Sequence, residues 1–404
     1  MVDSTQIENN FLKHSNKLYV LEGNMKKIFF MFLFFTYLLS GLGFTENNIK
    51  KREVQVKPNV QNVDIEFNGE YLKGYLFIVD ARTDEEKLKN FNERNANGSI
   101  FIFFQGHAQR ADDAYKFTKE LALKSKSGIT IVPLCDTPYG KNKDLRGDNG
   151  KEIILFYLIK HALKSLNMNV DEEIQCKDIK IDGKSFVDLT NSIKVKLTAI
   201  GWSHGGLLAR RMASKYTSFE NLIQICPAGF TQWPDNSCQA SCCVLSSFNW
   251  ESLRIGFTET FKGHFCDVMG AGWGITKGLT GDTARSCNSC IYGNFNILKI
   301  FRPYKDIADV TLYADDNNFP VVNKKHILVI FGEDDSLFDD EKLLKYDKNS
   351  EIIKEQFFSK YYEKSIISNT KLDVRILPGK HIGPITHYDI YVDSIVTFLD
   401  EKLI

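Results

Sequence analysis

A serine bracketed by glycines lies where a predicted strand gives way to a predicted helix. The segment Gly201-Trp202-Ser203-His204-Gly205-Gly206 follows the apolar run 197–201 and precedes a helical pattern over 205–215. A serine held on such a sharp turn takes a strained backbone conformation, and the residues two before and two after it must be small so that strand and helix pack closely. Gly201 and Gly205 meet this need. The pattern predicts a turn that presents Ser203.

Strand and helix patterns alternate along the chain, after an opening hairpin predicted over 63–79 around Asn68-Gly69. A polar stretch over 82–98 is predicted as a loop. Further strands are predicted at 99–104, 129–134, 197–201, 222–226, 326–331 and 374–377, and helices at 112–125, 151–166, 205–215 and 389–403. This alternation predicts an α/β protein with a mostly parallel central sheet and helices on both faces.

An acidic loop directly follows the predicted strand 326–331, with the sequence Gly332-Glu333-Asp334-Asp335. A nucleophilic serine needs a general base that is oriented by an acid, and in open α/β sheets such groups gather at the carboxyl ends of the strands. Asp335 is the preferred acid because it lies three residues past Gly332, which lets the loop turn back toward the sheet. Asp334 is the close alternative.

The general base is predicted in the loop after the last strand, which reads Pro378-Gly379-Lys380-His381. His381 lies two residues past Gly379, at the carboxyl end of the strand. His387 is the weaker candidate, because it is predicted to begin the final helix. The order along the chain is then serine, aspartate, histidine, each after its own strand.

Two backbone amides are predicted to stabilise an oxyanion. The first is the N–H of His204, which directly follows the nucleophile. The second is the N–H of His107 in Gln105-Gly106-His107-Ala108, because Gly106 ends a buried strand and lets the next amide face the site. For both histidines the prediction concerns the main chain and not the imidazole.

These motifs together resemble the α/β-hydrolase superfamily: Ser203 in GWSHGG, Asp335 in GEDD and His381 in PGKH, with FFQGH upstream. The nucleophile elbow with its doubled glycine is similar to that of secreted bacterial lipases and esterases. The resemblance covers roughly residues 63–403. The oxyanion loop departs from the pattern, since it reads Gln-Gly where many members have His-Gly. The resemblance implies an α/β-hydrolase fold, with a lid or cap inserted between the strand after the nucleophile helix and the strand that carries the acid.

Four regions follow from this reading: an N-terminal extension with a signal peptide or anchor at 1–43, the first part of the hydrolase core at 44–226, a cap at 227–325, and the second part of the core at 326–404. Six of the nine cysteines crowd into the cap, and in an exported protein they predict disulfides. A zinc site is the disfavoured alternative, because adjacent cysteines fit poorly to a tetrahedral site. The six are Cys238, Cys242, Cys243, Cys266, Cys287 and Cys290.

The N-terminal region carries an export pattern. Met25, Lys26 and Lys27 precede an apolar run over 28–39, and small residues then lead to a predicted cut after Gly43. The polar residues 1–24 come before this pattern, so either Met25 is the true start or the apolar run is an internal anchor. A secreted or periplasmic location is predicted, with membrane anchoring as the alternative.

Charge excludes one class of partner: 51 basic residues balance 51 acidic residues, which leaves no field to draw the chain onto nucleic acid. The sequence predicts an exported serine hydrolase that cleaves small-molecule or lipid carboxylic esters through an acyl-enzyme. No metal and no organic cofactor is required. Transient contact between the cap and a lipid surface is also predicted. The alternatives are an amidase or peptidase with the same three residues, and an inactive binding protein that retains the fold.

Overall fold

The computed structural model describes residues 56–67, 70–88, 99–106, 114–135, 148–168, 176–181, 184–186, 195–227, 324, 326–333, 335, 362 and 370–400. The predicted signal peptide, the cysteine cluster and all of the predicted cap except Pro227 and Lys324 lie outside these residues. His107 and Asp334 lie outside them as well. The predictions of export, cap and disulfides therefore remain predictions.

Ten strands form one sheet in the order β10-β9-β8-β7-β3-β4-β2-β1-β5-β6. The strands are β1 (Asn59–Phe67), β2 (Glu70–Asp80), β3 (Ile100–Phe104), β4 (Ile129–Cys135), β5 (Cys176–Ile181), β6 (Lys184–Phe186), β7 (Leu197–Trp202), β8 (Phe219–Ile225), β9 (His326–Gly332) and β10 (Lys371–Leu377).

The six strands from β4 through β10 in this order pair in parallel, and the other four pair antiparallel at the opposite end of the sheet. The prediction of a mostly parallel sheet is therefore confirmed. Parallel pairing brings the carboxyl ends of β7, β8, β9 and β10 to the same edge. The loops that carry the predicted serine, acid and base all leave the sheet at that edge.

The opening hairpin is also confirmed, because β1 and β2 pair from Asn59↔Ile78 to Phe67↔Glu70. Only two residues, Asn68 and Gly69, connect the paired ends, as the Asn-Gly signal predicts. Strands β5 and β6 were not among the predicted elements. Their sequences, CKDIKI and KSF, are short and lysine-rich. They become strands by pairing, β5 with β1 and β6 with β5.

Six helices accompany the sheet in the described part of the chain: α1 (Asp84–Leu88), α2 (Tyr115–Lys124), α3 (Asp148–Ser165), α4 (His204–Lys215), α5 (Gly383–Thr386) and α6 (Tyr388–Asp400). The prediction of a loop throughout 82–98 was wrong at its start, where α1 forms. Thr83 Oγ1 accepts from the Glu86 N–H at 3.2 Å, and Glu86 Oε2 accepts from the Thr83 N–H at 2.8 Å. This reciprocal capping box satisfies two amides at the helix start and allows a polar segment to begin a helix.

Two apolar layers cover the faces of the sheet. Successive residues of β2 alternate between them: Leu76 and Ile78 belong to one buried cluster, and Phe77 and Val79 to the other. Helices α3 and α4 pack in the first cluster, while α2 and α6 pack in the second. This is the arrangement of helices on both faces that the sequence predicts. Among the described residues, no helix has the length and apolar character needed to cross a membrane.

The contact between α3 and the end of α4 rests on an aromatic pair. Phe156 stacks on Tyr216 with ring centroids 3.8 Å apart and planes 4° from parallel. Phe156 is buried, whereas Tyr71 on β2 is 83% exposed. Phe156 and Tyr71 therefore offer a matched test of how much core burial stabilises this fold, because one aromatic ring is buried and the other is exposed.

We expect Phe156→Ala to lower the free energy of unfolding by about 3–5 kcal/mol, because the large side chain leaves a cavity in a close-packed layer. Tyr71→Ala is the control and should change it by about 0.5 kcal/mol or less. Urea denaturation of both variants measures the difference. Equal effects of the two substitutions would contradict the described packing.

Candidate active site

Ser203 occupies the turn between β7 and α4 with a strained backbone. Its φ is 58° and its ψ is −125°, a conformation that residues other than glycine rarely adopt. The Ser203 N–H donates to the Ile225 carbonyl at 2.9 Å, and the Gly206 N–H donates to the Ser203 carbonyl at 2.9 Å. Hydrogen bonds on both sides thus hold the main chain of the turn in place.

Gly201 and Gly205 bracket the serine at positions where no side chain fits. A Cβ on Gly201 would lie 2.0 Å from the Gly205 carbonyl oxygen, and a Cβ on Gly205 would lie 2.1 Å from that of Phe104. Real Cβ atoms essentially never come this close to another heavy atom. The two glycines let β7, the start of α4 and the end of β3 approach each other, as the sequence pattern requires.

The structure brings Asp335 and His381 together. His381 Nδ1 lies 2.9 Å from Asp335 Oδ2. Asp335 is 1% exposed and His381 is 6% exposed, so the pair is withdrawn from water. An ionised carboxylate can only accept hydrogen bonds, so Nδ1 carries the proton. The lone pair of the neutral ring is then on Nε2, the nitrogen that can accept a proton.

The loop after β9 turns back to the sheet as the sequence predicts. The Asp335 N–H donates to the Gly332 carbonyl at 3.1 Å, and the Glu333 N–H donates to the Leu377 carbonyl of β10 at 2.6 Å. A Cβ on Gly332 would lie 1.9 Å from the Lys380 carbonyl oxygen. Gly332 is therefore required for the acid loop and the histidine loop to pack against each other.

The loop after β10 is fixed by its own backbone and by Trp202. Gly379 and Lys380 have φ values of 101° and 53°, and a short 3-10 helix spans Lys380–Ile382. Trp202 Nε1 donates to the His381 carbonyl at 2.8 Å. His387 lies just before α6, as predicted, where its Nδ1 is 2.8 Å from Thr386 Oγ1. The histidine paired with Asp335 is therefore His381.

The predicted oxyanion donors have unequal support. His204 is the first residue of α4, so its N–H lies at the positive end of the helix dipole, where a developing negative charge is favoured. The end of β3 adjoins this turn, because Gly205 packs on the carbonyls of Phe104 and Gln105. Gly106 follows there, and His107 lies outside the described residues. The second donor remains a prediction.

Cys226 was not predicted to lie at this site, yet its thiol is part of it. Its Sγ, an Asp335 carboxylate oxygen and a His381 ring nitrogen all lie within 4.8 Å of one another. Cys226 is fully buried and has a φ of 42°, and its Sγ is 3.7 Å from the Lys380 carbonyl. The available signal was its position one residue past β8, at the edge where the other loops meet.

Tyr391 on α6 is a second unpredicted neighbour. Burial, and then the nearby Cys226 and Asp335, raise the pKa of Tyr391 well above its ordinary value. Its hydroxyl therefore stays protonated. A Cβ on Gly383 would lie 2.1 Å from this hydroxyl, so Gly383 provides the space that the tyrosine fills. Within the described part of the chain, the Tyr391 hydroxyl has no hydrogen-bond partner.

A buried polar network supports the start of α4 from behind. Gln224 Nε2 donates to the Gly206 carbonyl at 2.9 Å, and the Tyr362 hydroxyl donates to Gln224 Oε1. The Arg210 guanidinium lies 4.1 Å from the centre of the Tyr362 ring. Burial lowers the pKa of Arg210 to about 10 and raises that of Tyr362 to about 12. At neutral pH the arginine is charged and the tyrosine is neutral, which favours their cation–π contact.

Several solved structures are similar to this chain. An α/β hydrolase from a Medee basin deep-sea metagenome library is 11% identical, over 82% of this chain and 96% of its own, with a TM-score of 0.41. A lipase-esterase related protein from Clostridium acetobutylicum is 14% identical, over 80% and 99%, with a TM-score of 0.42. An esterase from Exiguobacterium antarcticum is 12% identical, over 84% and 99%, also with a TM-score of 0.42.

No protein-family model and no curated protein sequence matches the chain. The function proposed below rests on the positions of Ser203, Asp335 and His381.

The close approach at Gly205 can be tested without reference to activity. We expect Gly205→Ala to destabilise the fold by about 1–3 kcal/mol or more, because the added methyl group must push β3 away from α4. Ser214→Ala, near the exposed end of the same helix, is the control and should change the free energy of unfolding by about 0.5 kcal/mol or less. Thermal and urea denaturation measure both. A Gly205→Ala protein as stable as the control would contradict the described packing.

Proposed function

We propose that this protein is a serine hydrolase that cleaves carboxylic esters through an acyl-enzyme intermediate. The observation that carries the proposal is the buried 2.9 Å contact between His381 and Asp335. The two loops that carry this pair leave the sheet at the same edge as the strained turn that holds Ser203. A nucleophile, a base and an acid that orients the base are the minimum that acyl transfer requires.

In the proposed mechanism the Ser203 hydroxyl attacks the ester carbonyl, and His381 Nε2 takes its proton. Asp335 accepts from Nδ1–H throughout, which fixes the tautomer and stabilises the imidazolium that forms. His381 then returns the proton to the leaving alcohol. Water then gives a proton to Nε2 and attacks the acyl-enzyme, and His381 returns that proton to Ser203 Oγ as the bond to the serine breaks and the acid is released.

The oxyanion that forms in each half of the reaction is proposed to bind two main-chain N–H groups. One belongs to His204, at the first turn of α4. The other is assigned to His107, after the end of β3. Such donors are already oriented toward the position where the negative charge develops. Each therefore lowers the barrier by roughly 2.7–4 kcal/mol in comparable sites.

The remaining parts of the proposal rest on the sequence. Export is supported by the apolar run 28–39 with its basic flank, and the alternative is an anchor made of the same residues. Acyl chains as substrates are supported by the many aromatic residues of the predicted cap, Trp233, Phe248, Trp250, Phe257, Phe261, Phe265 and Trp273 among them. A cap of this composition also suits transient contact with a lipid surface.

We expect Ser203→Ala to reduce ester hydrolysis to background while the protein stays folded, because Ala removes the nucleophilic hydroxyl and adds no atom that could clash in the turn. Short-chain and long-chain p-nitrophenyl esters, beside matched anilides, measure activity and separate an esterase from an amidase. A fluorophosphonate should add once, at Ser203, as shown by intact mass and peptide mapping. Ser214→Ala should retain both activity and labelling.

Near-native turnover by Ser203→Ala would overturn the assignment of the nucleophile. Absence of any adduct on the wild-type chain, together with absence of turnover, would favour a binding protein that keeps the fold without the chemistry. Faster cleavage of anilides than of matched esters would keep the three residues and change the substrate class.

The acid can be tested with two adjacent residues. We expect Asp335→Asn to lower kcat by about 10³–10⁴-fold, because the amide can donate to Nδ1 and so favours the wrong tautomer. Asp334→Asn is the matched control and should change kcat by less than about threefold, because the proposed mechanism gives its carboxylate no role. Steady-state kinetics on one ester compare them. A larger loss in Asp334→Asn would assign the acid to Asp334.

A further inference from the structure

Three chemically different ligand atoms converge where β8, the acid loop and the histidine loop meet. The Cys226 sulfur, an Asp335 carboxylate oxygen and a His381 ring nitrogen lie within 4.8 Å of one another. All three residues are buried. The proposed reaction uses the aspartate and the histidine and has no use for the thiol. The thiol nevertheless completes a sulfur, nitrogen and oxygen set.

We propose that Cys226, Asp335 and His381 form a binding site for a thiophilic divalent cation such as Zn²⁺ or Cd²⁺, and that occupancy inhibits the enzyme. Zinc binds thiolate at about 2.3 Å and imidazole or carboxylate at about 2.0–2.2 Å, so atoms that share one ion are on the order of 3–4 Å apart. Asp335 Oδ2 and His381 Nδ1 are 2.9 Å apart and must separate slightly to admit the ion, while the sulfur already lies within 4.8 Å of the ligand atoms of both residues. Sulfur and imidazole ligands favour such a cation over Mg²⁺ or Ca²⁺.

The charges in the pocket also suit a cation. Asp335 supplies one negative charge, and Cys226 supplies a second when the ion displaces its proton.

Inhibition follows from where the protons go. In the active enzyme Nδ1 carries the proton and donates to Asp335. To bind the ion, Nδ1 must offer a lone pair in place of its N–H. Its proton therefore moves to Nε2, while the thiol proton is released to solvent. With a proton on Nε2, the ring cannot accept the proton of Ser203, and Asp335 is occupied by the metal. One binding event therefore disables both the base and its acid. The inhibition rests on the proposed function, whereas the binding does not.

The binding is tested on Ser203→Ala, so that catalysis plays no part. Cd²⁺ titration should produce the ultraviolet charge-transfer band of a cadmium–thiolate bond. The same titration is repeated with Cys226→Ala, with Cys226→Ser, and with Cys135→Ala as the matched control. Cys135, at the end of β4, is also a buried cysteine of the sheet. We expect a band component that disappears in both Cys226 variants and persists in Cys135→Ala.

The inhibition is tested on the enzyme with its serine, by adding Zn²⁺ and then EDTA. We expect Zn²⁺ to inhibit ester hydrolysis reversibly, and Cys226→Ala to raise the half-inhibitory concentration by at least about tenfold, each variant being compared with its own uninhibited rate. Cys135→Ala should leave the half-inhibitory concentration unchanged.

Identical cadmium bands in the Cys226 and Cys135 variants would overturn the site, even if the esterase is confirmed. A band specific to Cys226 without any ester hydrolysis would keep the cation site and overturn the proposed function. If the Cys226 variants do not fold, Asp335→Asn in the Ser203→Ala background takes their place. Its cadmium affinity should then fall by about tenfold or more, and an unchanged affinity would overturn the site.

Discussion

Three backbone hydrogen bonds join the carboxyl ends of four neighbouring strands, and the candidate site depends on them. The Ser203 N–H donates to Ile225, the Cys226 N–H to Ile330 and the Glu333 N–H to Leu377, at 2.9, 2.7 and 2.6 Å. Each bond extends a parallel ladder just beyond the regular strand. Since buried backbone groups must find partners, the ladder also fixes where each loop departs. The loops that carry Ser203, Cys226, Asp335 and His381 therefore all begin at one rigid edge of the sheet.

Backbone strain is concentrated at the same edge. Of the four non-glycine residues with positive φ in the described part of the chain, three are Ser203, Cys226 and Lys380. Each such conformation costs on the order of 1–3 kcal/mol and persists only where the surroundings hold it. Here those surroundings are the apolar core on both faces of the sheet and the glycines, which let carbonyl oxygens pack close to their Cα atoms. Stability stored in the sheet is thus used to hold side chains in positions that isolated loops would not keep.

Much of this arrangement could be predicted from local patterns. The period-two hairpin, the buried strands and the amphipathic helices agree with the structure to within a few residues at most ends. The GWSHGG segment indicated a close approach at Gly201 and Gly205, and both glycines have no room for a side chain. Sequence reasoning failed at β5 and β6, which lack an apolar signal, and at α1, where Thr83 and Glu86 form a capping box in a segment predicted as a loop.

The sequence by itself determined the alternation of elements, the position of Ser203 on a strand-to-helix turn, and the two loops from which the acid and base would come. Its information is local, since periodicity and turn residues report on neighbours in the chain. The tertiary structure decided what depends on contacts between distant residues: that His381 rather than His387 meets Asp335, that Trp202 holds the His381 carbonyl, and that Cys226 adds a thiol to the pair. Strand order sets these contacts, and strand order is a property of the assembled sheet.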